Sequence, residues 1–139
     1  MNQCFIDRDL SPLPTWLAAF PDAKVVHHEG VAALPAGKPV ILWCRCRAGE
    51  SVASVLSALN LESWQLAVLL ADEPDEAIVA DALAHGASGC CNTHAAPEVL
   101  RQVALVVGNG GLWVGQSVLR RLVGGATRMP ALRTFVDNY

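Results

Sequence analysis

No uninterrupted apolar stretch in this sequence approaches the roughly 20 residues that a helix needs to cross a bilayer, so the chain is not expected to span a membrane. Its opening residues, MNQCFIDRDL, carry acids where a secretory leader has a basic and then an apolar region, which points to a cytoplasmic protein. Excess charge is scarce as well: the formal net charge of -3 is too small to draw nucleic acid or a membrane surface to the whole molecule. Cysteine pairs of the CxxC type are missing. The five cysteines are odd in number and include CxC and CC spacings, which argue against a disulfide scaffold and a structural zinc site and fit reduced thiols inside a cell. Acids are missing altogether from 99 to 136, a stretch that holds Arg101, Arg120, Arg121, Arg128 and Arg133. Arginines dispersed in this way read first as solvated surface.

What is present is apolar material in short blocks. Hydrophobic residues make up 53% of the 139 and charged residues only 17%, a balance suited to one domain whose sheet is covered on both faces. Short apolar runs alternate with amphipathic segments, the pattern of successive βα units. Strands are expected at QCFID (3–7), AKVVHH (23–28), PVILWC (39–44), QLAVLLA (65–71) and SGCCN (88–92). Helices are expected at LPTWLAAF (13–20), at ESVASVLSALN (50–60), after DEPDE with Pro74 in the first turn and Gly86 as the stop, and from APE (96–98) to Gly108. The segment EGVAALPAGK is too short and too broken by Pro35 and Gly37 for a full helix, so the second crossover is abbreviated. Ile78, Val79, Ala82 and Leu83 share one helical face, and Leu100, Val103, Val106 and Val107 another. Beyond Gly111, GQSVLRRLV reads as a short helix and the remainder as a linker or tail. Right-handed crossovers place all strand C-termini on one edge, where Asp7, Cys44, Ala71 and Asn92 to Thr93 gather.

From 66 to 114 the sequence resembles the second half of receiver domains in bacterial response regulators of the LuxR/NarL type. The resemblance rests on an apolar strand ending near Ala71-Asp72, a helix closed by Gly86-Ala87 with Gly89 two residues on, then Pro97-Glu98-Val99-Leu100 and a Gly-Gly-x-Trp ending at Trp113. It implies a flavodoxin-like, doubly wound five-stranded parallel sheet of order 2-1-3-4-5 in three α/β/α layers. Residues 1–115 would form the receiver-like domain and 116–139 a short helix and linker toward a DNA-binding domain not present in this chain.

The resemblance also implies a site: an aspartate at the end of the third strand that takes a phosphoryl group, Mg²⁺ held there and by two acids after the first strand, a hydroxyl after the fourth strand and a lysine after the fifth. Here Asp7 matches the first acid, Arg8 stands at the second with Asp9 one step late, Cys44 falls at the acceptor, Ala71 at the hydroxyl and Thr93 at the lysine. A register slip would put Trp43 or Arg45 at the acceptor, and neither is a carboxylate. Without an acceptor and with one acid left, neither aspartyl phosphate nor Mg²⁺ is expected, so no metal or cofactor is assigned. Asp7 is expected to pair with Arg8, Arg45 or Arg47 instead.

The expectation is therefore a pseudo-receiver and not an enzyme: a phosphorylation-independent module of a two-component-type transcriptional regulator. It would act as a homodimer or through a DNA-binding output domain. The alternatives are a stand-alone adaptor for a protein partner, or a redox or metal sensor built on Cys44, Cys46, Cys90 and Cys91 with His94 close behind. Alternate strand residues point to opposite faces, so these thiols are better read as small hydrophobes. His27 and His28 sit at the end of the second strand, where adjacent residues diverge, so they are expected to be surface or half-buried imidazoles and not paired ligands. GNGGLWVG follows a helix, not a strand, and so lacks the geometry of a phosphate-binding loop. Trp113 is expected to pin the start of the tail onto the domain.

Overall fold

The computed structural model describes residues 1–114, so the expected helix at GQSVLRRLV and the tail that follows lie outside the described residues. Five strands, β1 (Asn2–Ile6), β2 (Lys24–Val26), β3 (Val40–Cys46), β4 (Gln65–Ala71) and β5 (Gly89–Asn92), form one all-parallel sheet in the order β2-β1-β3-β4-β5. Between them run α1 (Pro14–Ala19), a 3-10 turn (His28–Ala33), α2 (Val52–Ser57) and α3 (Glu76–Ala84), and α4 (Pro97–Gly108) follows the last strand. This is a flavodoxin-like α/β fold, with helices on both sheet faces. Among the described residues no helix is long and apolar enough to cross a membrane.

The two faces are chemically distinct. On one, Val52 and Leu56 of α2 and Val79 and Ala82 of α3 pack against Cys4, Ile6, Leu42, Cys44, Cys46, Leu69 and Cys90. On the other, Trp16 of α1 and Leu100, Val103, Val106 and Val107 of α4 cover Phe5, Ile41, Trp43, Val68, Leu70 and Cys91. Phe5 is sandwiched by two indoles: its ring lies 4.6 Å from that of Trp16 at 7° and 5.5 Å from that of Trp43 at 17°. Both indole N–H groups have partners, Trp16 donating to the Thr93 carbonyl at 3.1 Å and Trp43 to Gln3 Oε1 at 2.7 Å. That satisfaction lets two large amphipathic rings lie in the core without an orphaned donor.

The helix ends follow local chemistry. Asp75 caps α3 by accepting the Ile78 N–H at 2.8 Å, which leaves Pro74 ahead of the cap and outside the first turn where the sequence placed it. At the other end Gly86, at φ 96°, donates to Leu83 while Ala87 donates to Ala82, a left-handed stop that glycine adopts without strain. Of the side chains expected to face the core, Val79 and Val103 are buried, whereas Leu83 and Val99 are half-buried. After α4 the chain doubles back, and Trp113 forms a parallel bridge to Gly89, with its N–H on the Ser88 carbonyl and its carbonyl on the Cys90 N–H. Trp113 is 2% exposed, so the start of the tail is anchored along the edge of β5.

Two strand boundaries differ from those expected in ways that matter for the site. The third strand does not stop at Cys44 but continues to Cys46. The second stops at Val26, so His27 and His28 are not strand residues: His27 is the N-cap of the 3-10 turn and His28 its first residue.

Candidate functional site at the carboxyl edge of the sheet

The run Cys44-Arg45-Cys46-Arg47, which ends β3 and enters the turn beyond it, alternates with period two, and strand geometry sends Cys44 and Cys46 to one face and Arg45 to the other. Cys44 and Cys46 enter the core beneath α2 and α3. Arg45 and Arg47 instead meet acids from neighbouring strands. The Arg45 guanidinium makes two 3.0 Å bonds to the two carboxylate oxygens of Asp72, the residue after β4. The Arg47 Nη2 lies 2.8 Å from Asp7 Oδ1, after β1, and 2.8 Å from Asp9 Oδ2.

A tight turn holds Arg47 in place. Its N–H donates to Glu50 Oε1 at 2.8 Å, the Glu50 N–H returns a bond to the Arg47 carbonyl at 2.9 Å, and Gly49 between them sits at φ 85°. Glu50 in turn receives Arg8 Nη1 at 3.7 Å, a longer and more exposed contact. Four carboxylates and three guanidiniums thus interlock along one edge.

Burial decides which of these contacts matter. The Asp7 side chain is 1% exposed, and leaving a carboxylate so placed without a partner costs about 3–5 kcal/mol, whereas exposed pairs such as Arg8–Glu50 contribute about 0–1 kcal/mol. Arg47 is held above its ordinary pKa by its bond to Asp7, against the opposing effect of burial, with the charges of Asp7, Asp9 and Asp72 adding to it. Burial pushes the Asp72 carboxyl up, but the Arg45 bonds, the Thr93 hydroxyl and the charges of Arg45 and His94 outweigh it and hold the pKa below the usual value. Thr93 is itself buried, and Thr93 Oγ1 has no partner at full hydrogen-bond geometry, so its effect on Asp72 is one of proximity. Asp7 Oδ2 is likewise buried without a partner.

The residues singled out in the sequence separate accordingly. Asp7 pairs with Arg47, not with Arg8 or Arg45. Cys44 does not meet Asp7: its thiol is fully buried on the α2/α3 face and points at the Leu42 carbonyl, 3.6 Å away. One residue of β3 register accounts for this, because Cys44 pairs with Ile6 in the sheet and it is Arg45 that follows to the edge. Ala71 ends β4 inside the same core, and the acid beyond it, Asp72, is the residue that sequence reasoning passed over. The signal was available in the Cys-Arg-Cys-Arg alternation, which marks a strand continuing past Cys44.

The thiols do not assemble into a site. All five are buried and outside any disulfide, with Cys4, Cys44, Cys46 and Cys90 on one face and Cys91 on the other. Burial pushes the Cys4 thiol up to about 11 and the Cys90 thiol to about 12, and raises Cys44 and Cys46 as well. A reactive or metal-binding cysteine needs the opposite shift. A hard divalent cation is also poorly served at Asp7. One of its oxygens is engaged by a guanidinium, and among the described residues neither Asp7 nor Asp72 belongs to a group of three side chains able to converge on one ion.

Comparisons with protein-family models, curated proteins and solved structures returned no match. The functional reading therefore rests on the chemistry of this edge.

Proposed function

We propose that this chain is a receiver-like regulatory module that works without phosphorylation, acting by self-association or by contact with an output domain. The observation that carries the proposal is the Arg47–Asp7 pair at 2.8 Å, with Asp7 buried. In a receiver the acid at this place helps hold Mg²⁺ for phosphoryl transfer; here a guanidinium supplies the positive charge permanently. Arg45 neutralises Asp72 in the same manner. Nucleophile and cation chemistry are both absent from this proposal: the group at the β3 edge is a guanidinium, and the neighbouring thiol, Cys44, is buried and protonated. What remains for function is the surface of the fold.

The test is incubation with acetyl phosphate and Mg²⁺ followed by intact-mass measurement, together with sedimentation in the absence of any phosphoryl donor. An unchanged mass with concentration-dependent association supports the reading. A hydroxylamine-labile phosphoryl adduct, or a monomer at every concentration with no affinity for an output domain, overturns it.

A further inference from the structure

The His27-His28-Glu29 segment lies at the same sheet edge, tied to β1 by the bond from the Asp7 N–H to the Val26 carbonyl at 3.0 Å. Strand alternation would have sent the two imidazoles apart. The chain instead leaves β2 after Val26, passes His27 at φ -75° and ψ 155°, and enters the 3-10 turn at His28. This brings the ring centroids to 4.1 Å at an interplanar angle of 40°. With Glu29, one ligand atom from each of the three side chains falls within 4.8 Å of the others. Among the described residues this is the sole group of three His, Cys, Asp or Glu side chains so arranged.

We propose that His27, His28 and Glu29 form a binding site for a borderline divalent cation of the Zn²⁺ or Ni²⁺ type. Two imidazole nitrogens and one carboxylate suit such ions, whereas Mg²⁺ selects an all-oxygen shell. Ligands about 2.0–2.1 Å from a tetrahedral ion stand about 3.3 Å apart, and His28 and Glu29, both exposed, are free to close from the present spacing by rotamer change. Three protein ligands leave a coordination position open. His28 also lines a cavity of about 310 Å³ together with Arg8, Arg45, Glu50 and Ser54, so the site borders that cavity.

Binding has a structural consequence. His27 Nδ1 accepts the Glu29 N–H at 3.3 Å, the bond that caps the 3-10 turn. In the neutral ring that bond leaves the proton on Nε2. An ion taking Nε2 moves this proton to Nδ1 through solvent, with no net release, and an ion taking Nδ1 displaces the amide directly. By either nitrogen the cap is surrendered, and occupancy is reported to the abbreviated crossover between β2 and β3.

Calorimetric titration of the whole chain with Zn²⁺, Ni²⁺ and Mg²⁺ tests the site. One Zn²⁺ or Ni²⁺ per chain is expected, without a Mg²⁺ heat, and affinity at least tenfold weaker in His28→Asn and in Glu29→Gln but unchanged in His85→Gln. Both substitutions are at exposed positions, and an unaltered amide NMR spectrum outside the turn confirms that they fold. Because five thiols are present, the wild-type protein is also loaded with Co²⁺: absence of a thiolate charge-transfer band supports the histidine site. No binding of either ion, affinity retained in the double variant His28→Asn/Glu29→Gln, or a thiolate band overturns the proposal.

Discussion

Arg47 and Asp7 stand 40 residues apart in sequence and 2.8 Å apart in space, joining the turn after β3 to the end of β1. The pair closes the carboxyl edge of the sheet at its most buried acid. Arg45 and Asp72 do the same between β3 and β4, in a two-bond geometry whose partners are 12% and 21% exposed.

The two arginines are therefore unequal. Arg47→Met leaves a wholly buried carboxylate unpaired and is expected to destabilise the domain by about 3–5 kcal/mol. Arg45→Met, whose abandoned partner keeps some contact with water, is expected to cost about 1.5–3 kcal/mol. Adding Asp72→Asn to Arg45→Met should recover part of the loss, since no unpaired charge is left. Urea unfolding of the four proteins measures this, and an Arg47→Met variant less affected than Arg45→Met contradicts the burial argument.

Acid sensitivity should trace to Asp72. Its folded pKa lies below the unfolded value, so the stabilisation is complete above about pH 4–5 and is lost as pH falls through the folded pKa. Unfolding free energy followed downward through this window is expected to decline. In Arg45→Met the carboxyl is no longer held down as far, and the decline should be shallower. An identical acid profile in the two proteins would assign it to other carboxylates.

The thiols bear on the opposite limb. Cys4 and Cys90, raised to about 11 and about 12 from an ordinary 9.0, remain protonated in the folded state while the unfolded chain begins to ionise. Stability should be fully present below about pH 8.5–9 and fall as pH rises, by at most about 1.4 kcal/mol per pH unit for each such thiol. At neutral pH an aromatic disulfide reagent should label none of the five cysteines in native protein and all of them in denaturant. Rapid native labelling of Cys44 or Cys90 would revive the sensor reading.

Gly89 tests the anchored tail. A methyl group there would lie 2.9 Å from Trp113 Cβ and 3.0 Å from its carbonyl oxygen. Gly89→Ala is expected to cost about 1–3 kcal/mol and to shift Trp113 emission toward that of a hydrated indole. Trp113→Ala cannot relieve the clash, because the offending atoms are Cβ and backbone. Full stability of Gly89→Ala would mean that residue 113 is not fastened to β5.

Some of this was legible before folding was considered. The boundaries of β4 follow from an unbroken apolar run, as a central parallel strand demands, and the stripe of α4 from its 3.6-residue period. The end of β3 was read two residues short because an arginine looks like the end of an apolar run even when it is a strand residue aimed outward at a partner. The His27–His28 contact was missed for the converse reason. A strand assumed to continue through them implied divergence, and the point at which β2 yields to a 3-10 turn depends on a cap, not on hydropathy.

The amino-acid order alone determined five βα units, two covered faces, an abbreviated second crossover and the lack of a carboxylate from Trp43 to Arg45, because those properties depend on local periodicity and on which side chains exist. Only the folded arrangement decided that Arg47 serves Asp7 and Arg45 serves Asp72. These partners become neighbours once the order β1-β3-β4 sets their strand ends side by side, and burial there makes an unpaired charge too costly to leave.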